Sequence, residues 1–91
     1  MRKITDLYIK SFELIKEINS NGGDGTGYSK YKVLRINYYN NMSSEVIIDD
    51  WYTSKDIQLQ QLKEHTEQLM RKYYRVILNQ YTINKFFIAL K

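Results

Sequence analysis

The side chains that most readily take part in catalysis or metal binding are two adjacent aspartates and a single histidine, Asp49, Asp50 and His65. Neighbouring residues of a β-strand point to opposite faces of the sheet, so the two carboxylates are not expected to converge on one cation or one proton. A histidine that acts as a general base needs a nucleophile and an orienting carboxylate, and no such set is recognisable around His65. We therefore predict that the chain is not an enzyme and has no catalytic residues, no metal site and no cofactor.

The glycines of the chain form one short group. All four lie within residues 22–27, in the string Gly22-Gly23-Asp24-Gly25-Thr26 and the glycine after it. This string is similar to one that helps bind nucleotide in NAD kinases and diacylglycerol kinases, where it follows a buried apolar strand of a large α/β domain. Here it follows the polar end of a helical pattern, and no second phosphate-binding motif is present. Because glycine permits positive φ angles, we interpret residues 19–29 as a flexible Gly-rich loop.

Tyrosine and tryptophan are the most informative binding residues. The chain has nine tyrosines and one tryptophan in 91 residues, more than a core of this size is expected to bury. These side chains are favoured at interfaces because one end of the ring is apolar and the other carries a polar group. Many of them fall in or beside a predicted hairpin, and we assign that hairpin the following partner-binding residues: Tyr38, Tyr39, Asp49, Trp51 and Tyr52.

The basic residues define an alternative site. The net charge is +4, and basic side chains mixed with tyrosines are typical of surfaces that bind RNA or single strands, since charge follows the backbone and rings stack on bases. Acidic residues dilute these groups, and no signature of a known nucleic-acid-binding fold is visible. The alternative nucleic-acid-binding residues are Arg35, Arg71, Lys72 and Arg75.

Three elements should position these side chains in the first two thirds of the chain. Apolar residues at three- and four-residue intervals predict an N-terminal helix over residues 4–18. Alternation over residues 30–39 and β-forming residues over 45–52 predict two antiparallel strands, joined by a turn at residues 40–44.

The rest of the chain, from Thr53 onward, should be helical. Thr53 or Ser54 can cap a helix that begins at Lys55 and runs to about residue 78, and Asp56 completes a capping box with Thr53. The periodicity falters over residues 79–82, where Thr82 can cap a short final helix. The alternative is a single long helix, which would imply a dimer. The predicted fold is thus α+β in the order α-β-β-α-α, with residues 1–91 forming one small domain.

The composition excludes several classes of protein. The absence of cysteine rules out disulfide scaffolds, zinc fingers and thiol catalysis. No apolar stretch approaches the ~20 residues of a membrane span, and no signal-peptide core is recognisable, so we expect a cytoplasmic protein that contacts no membrane. The abundant Lys, Asn, Ile and Tyr residues are those of A/T-rich codons, which favours an origin on a phage or another mobile element.

Together these features predict a small binding protein that inhibits or modulates host machinery by protein–protein contact, of the anti-CRISPR or counter-defence type. Its partner would be a protein or ribonucleoprotein of the host or its defence system. The alternative is a small dimeric accessory or regulatory protein that binds nucleic acid. The size and the surplus of tyrosines carry the first hypothesis, and the basic residues carry the second.

Overall fold

The computed structural model describes residues 2–21 and 28–91, which form a four-stranded sheet and two helices. The elements are β1 (Thr5–Asn21), β2 (Tyr28–Tyr38), β3 (Ser43–Asp49), α1 (Lys55–Met70), β4 (Tyr74–Ile77) and α2 (Gln80–Ala89). The strand order in the sheet is β3-β2-β1-β4. β1 pairs with β2 and β2 with β3 in antiparallel fashion, whereas β1 and β4 are parallel. Most of the predicted Gly-rich loop, residues 22–27, lies outside the described residues.

The prediction of an N-terminal helix over residues 4–18 is wrong, because this segment is the long strand β1. The pairing of β1 with β2 shifts by one residue at Lys10 and again at Ile15. Each such bulge moves the strand's alternation out of phase by one residue. The side chains on the core-facing side therefore fall at Leu7, Ile9, Phe12 and Leu14, and the three-residue step across Lys10 imitates a helical interval.

The predicted hairpin is confirmed in the pairing of β2 with β3, although β3 ends at Asp49. Trp51 and Tyr52 therefore lie in the loop that leads to α1. The cap of that helix is Ser54, whose side chain accepts a hydrogen bond from the Ile57 amide.

The predicted C-terminal helix is also wrong in its extent, since α1 ends at Met70 and a strand follows. Tyr73 has a φ of 64°, which turns the chain back so that β4 can lie parallel to Thr5–Tyr8. The final helix α2 is separate, as the faltering periodicity predicted. Its cap is Asn79 and not Thr82, which occupies the third position of the capping box. The element order is thus β-β-β-α-β-α, not α-β-β-α-α.

The helices cover one face of the sheet, and the core lies between the sheet and the helices. Phe86 of α2 is fully buried and meets Phe12 of β1 edge to face, with ring centroids 5.7 Å apart. The other buried apolar side chains of this core are Leu7, Ile9, Leu34, Ile36, Tyr38, Val46, Ile48, Leu62 and Leu90, and Val33 is buried outside it. The other face of the sheet, here called the open face, carries Glu13, Arg35, Glu45 and Ile47. Neither helix in the described part of the chain is both long and apolar enough to cross a membrane.

Candidate functional site

The parallel pairing of β1 with β4 joins two basic segments that are far apart in sequence. Thr5 lies beside Tyr74 and Asp6 beside Arg75, and the Thr5 amide donates a 2.8 Å hydrogen bond to the Tyr73 carbonyl. This register places residues 2–6 next to residues 71–75, and we call the two segments together the basic end. Five exposed basic side chains belong to it: Arg2, Lys3, Arg71, Lys72 and Arg75.

The basic end carries the whole net charge of the protein. The chain has 14 Lys and Arg residues against 10 Asp and Glu residues. Residues 2–6 and 71–75 hold five of the basic residues and one acidic residue, so the remaining nine basic and nine acidic residues cancel. Counting Glu67 as well, which precedes Arg71 by one helical turn, still leaves an excess of three positive charges. A charge distribution of this kind attracts polyanions to one end of the molecule.

Only one of these basic side chains has an acidic partner in the described residues. The Arg75 guanidinium donates to the Asp6 carboxylate at 2.7 Å, and this hydrogen bond raises the pKa of Arg75 above its ordinary value. In the same described ranges the structure shows no ion pair for the other four basic residues of the basic end. Four cations are therefore available to an anionic ligand.

An aromatic ring lies among these cations. The side chain of Tyr73 is 41% exposed, and the Arg2 guanidinium lies over its ring, 5.5 Å from the centroid. A positive φ is uncommon for a bulky residue and costs of the order of 1–2 kcal/mol, so glycine or asparagine would suit this turn better. The chain thus keeps a tyrosine at a position where its backbone is strained.

Three of the four residues predicted for nucleic-acid binding come together at the basic end, and the fourth does not. Arg35 lies on the open face, where it pairs with Glu45 at 3.3 Å and with Glu13 at 3.9 Å. Arg2 and Lys3 belong with Arg71, Lys72 and Arg75, although the pattern of basic residues in the sequence does not predict this. No local signal could have found them, since residues Asp6 and Arg75 are 69 positions apart.

The predicted partner-binding residues fall into two separate groups. Tyr38 is only 2% exposed and its hydroxyl is hydrogen-bonded to Ser44 at 2.8 Å, so its ring is part of the core. Tyr39 is exposed at the end of β2, where its amide donates to the Tyr8 carbonyl. Asp49 is the last residue of β3, and Trp51 and Tyr52 follow it, roughly 20 Å away along a strand of this length.

The loop after β3 holds two aromatic rings toward solvent. Trp51 and Tyr52 meet edge to face, with centroids 4.6 Å apart. The Trp51 amide donates to the Asp49 carboxylate at 3.0 Å, and the Thr53 hydroxyl donates to the Trp51 carbonyl at 3.1 Å. Tyr52 is 92% exposed and has a φ of 49°. These contacts fix the loop while leaving the Tyr52 ring almost wholly in solvent.

The structure also places His65 beside a serine that is 21 positions away in the sequence. Nε2 of His65 lies 3.0 Å from Oγ of Ser44, and that hydroxyl is shared with Tyr38. Burial lowers the pKa of His65. Among the described residues no carboxylate contacts the imidazole, and no group of three or more His, Cys, Asp and Glu residues could hold a metal. The contacts of Ser44 tie β3 to both β2 and α1.

The chain matches no protein-family model, no curated protein and no solved structure. Among the surfaces described above, the basic end is the most distinctive, because the net charge of the protein is concentrated there.

Proposed function

We propose that this protein binds nucleic acid through its basic end, mainly by contact with the phosphate backbone. The observation that carries the proposal is the concentration of the entire net charge in residues 2–6 and 71–75. Phosphate contacts of lysine and arginine supply most of the affinity of sequence-independent binding. The exposed ring of Tyr73, set among these cations, adds a surface on which a base can stack.

The cations of the basic end differ in their expected contributions. Arg75 is already paired with Asp6, so its contribution should be the smallest. If Arg2, Lys3, Arg71 and Lys72 each neutralise one phosphate, the affinity for duplex DNA should fall about 150-fold between about 50 and 200 mM salt. For a single strand, where each contact releases less counterion, the same four contacts predict a fall of about 50-fold.

A salt titration with charge-matched variants tests the proposal. Fluorescence anisotropy would follow the binding of labelled oligonucleotides of about 20 nucleotides, single-stranded and duplex, across this salt range. The Arg71→Gln/Lys72→Gln variant should lose about half of the salt dependence. The Lys16→Gln/Lys63→Gln variant has the same net charge but changes exposed residues outside the basic end, and it should bind as the wild type does. Equal weakening in both variants, or no binding by the wild type at low salt, would refute the proposal.

A second candidate function is contact with a protein, at the loop that holds Trp51 and Tyr52. The observation that favours it is that Tyr52 is held 92% exposed on a left-handed backbone beside a second aromatic ring. Such rings are the side chains that anchor interfaces. This candidate retains the hypothesis of a phage or mobile-element inhibitor acting on a host or defence protein.

Paired capture experiments test the second candidate. Immobilised wild type and a Trp51→Ala/Tyr52→Ala variant would be exposed to the same bacterial lysate, with Tyr39→Ala as the control that removes an exposed tyrosine elsewhere. A partner retained by the wild type and by Tyr39→Ala, but lost from the double variant, is the expected result. Retention by all three proteins would exclude this loop as the contact.

A further inference from the structure

The outer edge of β3 is partly closed by glutamine side chains from α1. In an antiparallel strand, alternate residues direct both the amide and the carbonyl to the same side. The Asp50 amide donates to the Lys30 carbonyl of β2, so Asp49 directs its groups outward. Its amide donates to Oε1 of Gln61 at 2.8 Å, and its carbonyl accepts from Nε2 of Gln58 at 2.9 Å. The two glutamines thus make the contacts that another strand would make.

Two residues further along the same edge lack such partners. Glu45 and Ile47 direct their amides and carbonyls to the same side as Asp49, because side-to-side alternation has a period of two. In the described ranges no backbone group or side chain bonds to these outward groups. They are therefore available to pair with an extended chain.

A groove runs between α1 and the part of the β3 edge formed by Glu45 and Ile47. It encloses about 410 Å³, and β3 contributes Glu45, Val46 and Ile47 to its lining. The helical part of the lining forms one stripe at the spacing of a single helix face, namely Gln61, Glu64, His65 and Gln68. Edge strand and helix together have the form used by domains that bind a peptide by strand addition.

The charges of the groove select the occupant. Its lining residues include Glu45 and Glu64 and no lysine or arginine, and only Glu64 lies on the helix, because the Glu45 side chain is on the open face. Glu45 forms an ion pair with Arg35, but Glu64 forms no ion pair with any residue that the structure describes. A second copy of this chain would present its own β3, which carries Glu45 and Asp49 and no lysine or arginine, and so would offer Glu64 no opposite charge. Ile47, 59% exposed on the open face, offers an apolar contact on the other side of an added strand.

The geometry points to a binding site for an extended peptide in which basic and apolar residues alternate. The peptide would add as a strand to Glu45 and Ile47, with its basic side chains toward Glu64 and its apolar side chains over Ile47. The site is independent of the proposed nucleic-acid contact, because it uses none of the residues of the basic end.

Binding of a labelled peptide of alternating lysine and valine, compared with one of alternating glutamate and valine, tests the inference. The Ile47→Pro variant removes an outward amide without removing a bond to β2, so the fold should be kept. It should bind the basic peptide roughly fivefold to tenfold more weakly. Glu64→Gln should also weaken binding, whereas Glu67→Gln, which makes the same charge change outside the groove lining, should not.

Hydrogen exchange distinguishes strand pairing from charge attraction, because charge attraction alone would not slow the exchange of particular backbone amides. Peptide binding should slow exchange of the Glu45 and Ile47 amides, and the acidic peptide should leave both unchanged. Equal effects of Glu64→Gln and Glu67→Gln, unchanged exchange at Glu45 and Ile47, or no binding by the wild type would overturn the inference. Concentration-dependent dimerisation that Ile47→Pro abolishes would overturn it too, because it would assign the edge to a second copy.

Discussion

Lys32 is a buried cation that joins three parts of the fold, and replacing it with methionine should weaken all three connections. Its side chain is only 8% exposed, and Nζ lies 3.2 Å from Asp50 and 3.7 Å from Glu17. The ammonium also donates to the carbonyl of Leu90, the C-cap residue of α2. A cation at a helix C-terminus satisfies an unpaired carbonyl and interacts favourably with the helix dipole.

The expected cost of Lys32→Met follows from what is lost and what remains. A hydrogen bond from a charged group contributes about 1.5–3 kcal/mol. Methionine keeps most of the volume of the lysine stem and no longer requires an ammonium to be buried, which offsets part of that loss. Asp50 keeps Lys30 at 3.6 Å and Gln58 at 3.3 Å, so its carboxylate is not left unpaired. We expect the free energy of unfolding to fall by about 1–2 kcal/mol.

Urea unfolding, followed by the fluorescence of the single tryptophan and by circular dichroism, measures this change. Lys30→Met is the matched control, because Lys30 lies two residues away on the same face of β2. Lys30 is 33% exposed and pairs with Asp50 at 3.6 Å, so its replacement should cost less than about 0.5 kcal/mol. If the two variants lose the same stability, or if Lys32→Met is the more stable, the assigned role of the buried ammonium is wrong.

Three further substitutions test other parts of the structure. Because burial lowers the pKa of His65 below 6.5, the unfolded chain binds that proton more tightly than the folded chain. The stability of the wild type relative to His65→Gln should therefore be greatest above pH 6.5 and fall as the pH drops through the folded-state pKa. Urea unfolding at a series of pH values measures this difference. A difference that does not change with pH would show that the pKa is not shifted. Tyr52→Asn should raise the free energy of unfolding by about 0.5–1 kcal/mol, because asparagine adopts the left-handed conformation with less strain than tyrosine. Tyr39→Asn is the control and should not raise it. Equal changes in the melting temperature of the two variants would contradict this prediction. Tyr38→Phe should lower the free energy of unfolding by about 1 kcal/mol through loss of the bond to Ser44, and an unchanged urea midpoint would exclude that contribution.

The parts of the fold that depend on local pattern were predictable from the sequence. The β2–β3 hairpin follows from alternation on both sides of a polar turn, and it is present with β3 ending at Asp49. The separate final helix follows from a break in periodicity, although its cap is Asn79. Ser54 was one of two caps predicted for α1, and its hydroxyl is the one that accepts the Ile57 amide.

The first strand could not be recognised because its pattern is altered by features that depend on its neighbours. Bulges at Lys10 and Ile15 shift the alternation of β1, and they are defined only by its pairing with β2. The resulting apolar spacing suits a helix as well as a strand. β4 was concealed for another reason, since it has only four residues and the turn before it uses Tyr73 at positive φ where glycine would have signalled a break.

The same non-local pairing decides how much of the candidate site was visible. Arg71, Lys72 and Arg75 are close in sequence, so their clustering could be proposed from the chain alone. Arg2 and Lys3 join them only because β4 lies parallel to Thr5–Tyr8. A charge excess is a property of a surface, and here the surface is assembled by a four-residue strand that local sequence did not reveal. The affinity of the basic end for phosphate should accordingly depend on the docking of β4 as much as on the cations themselves.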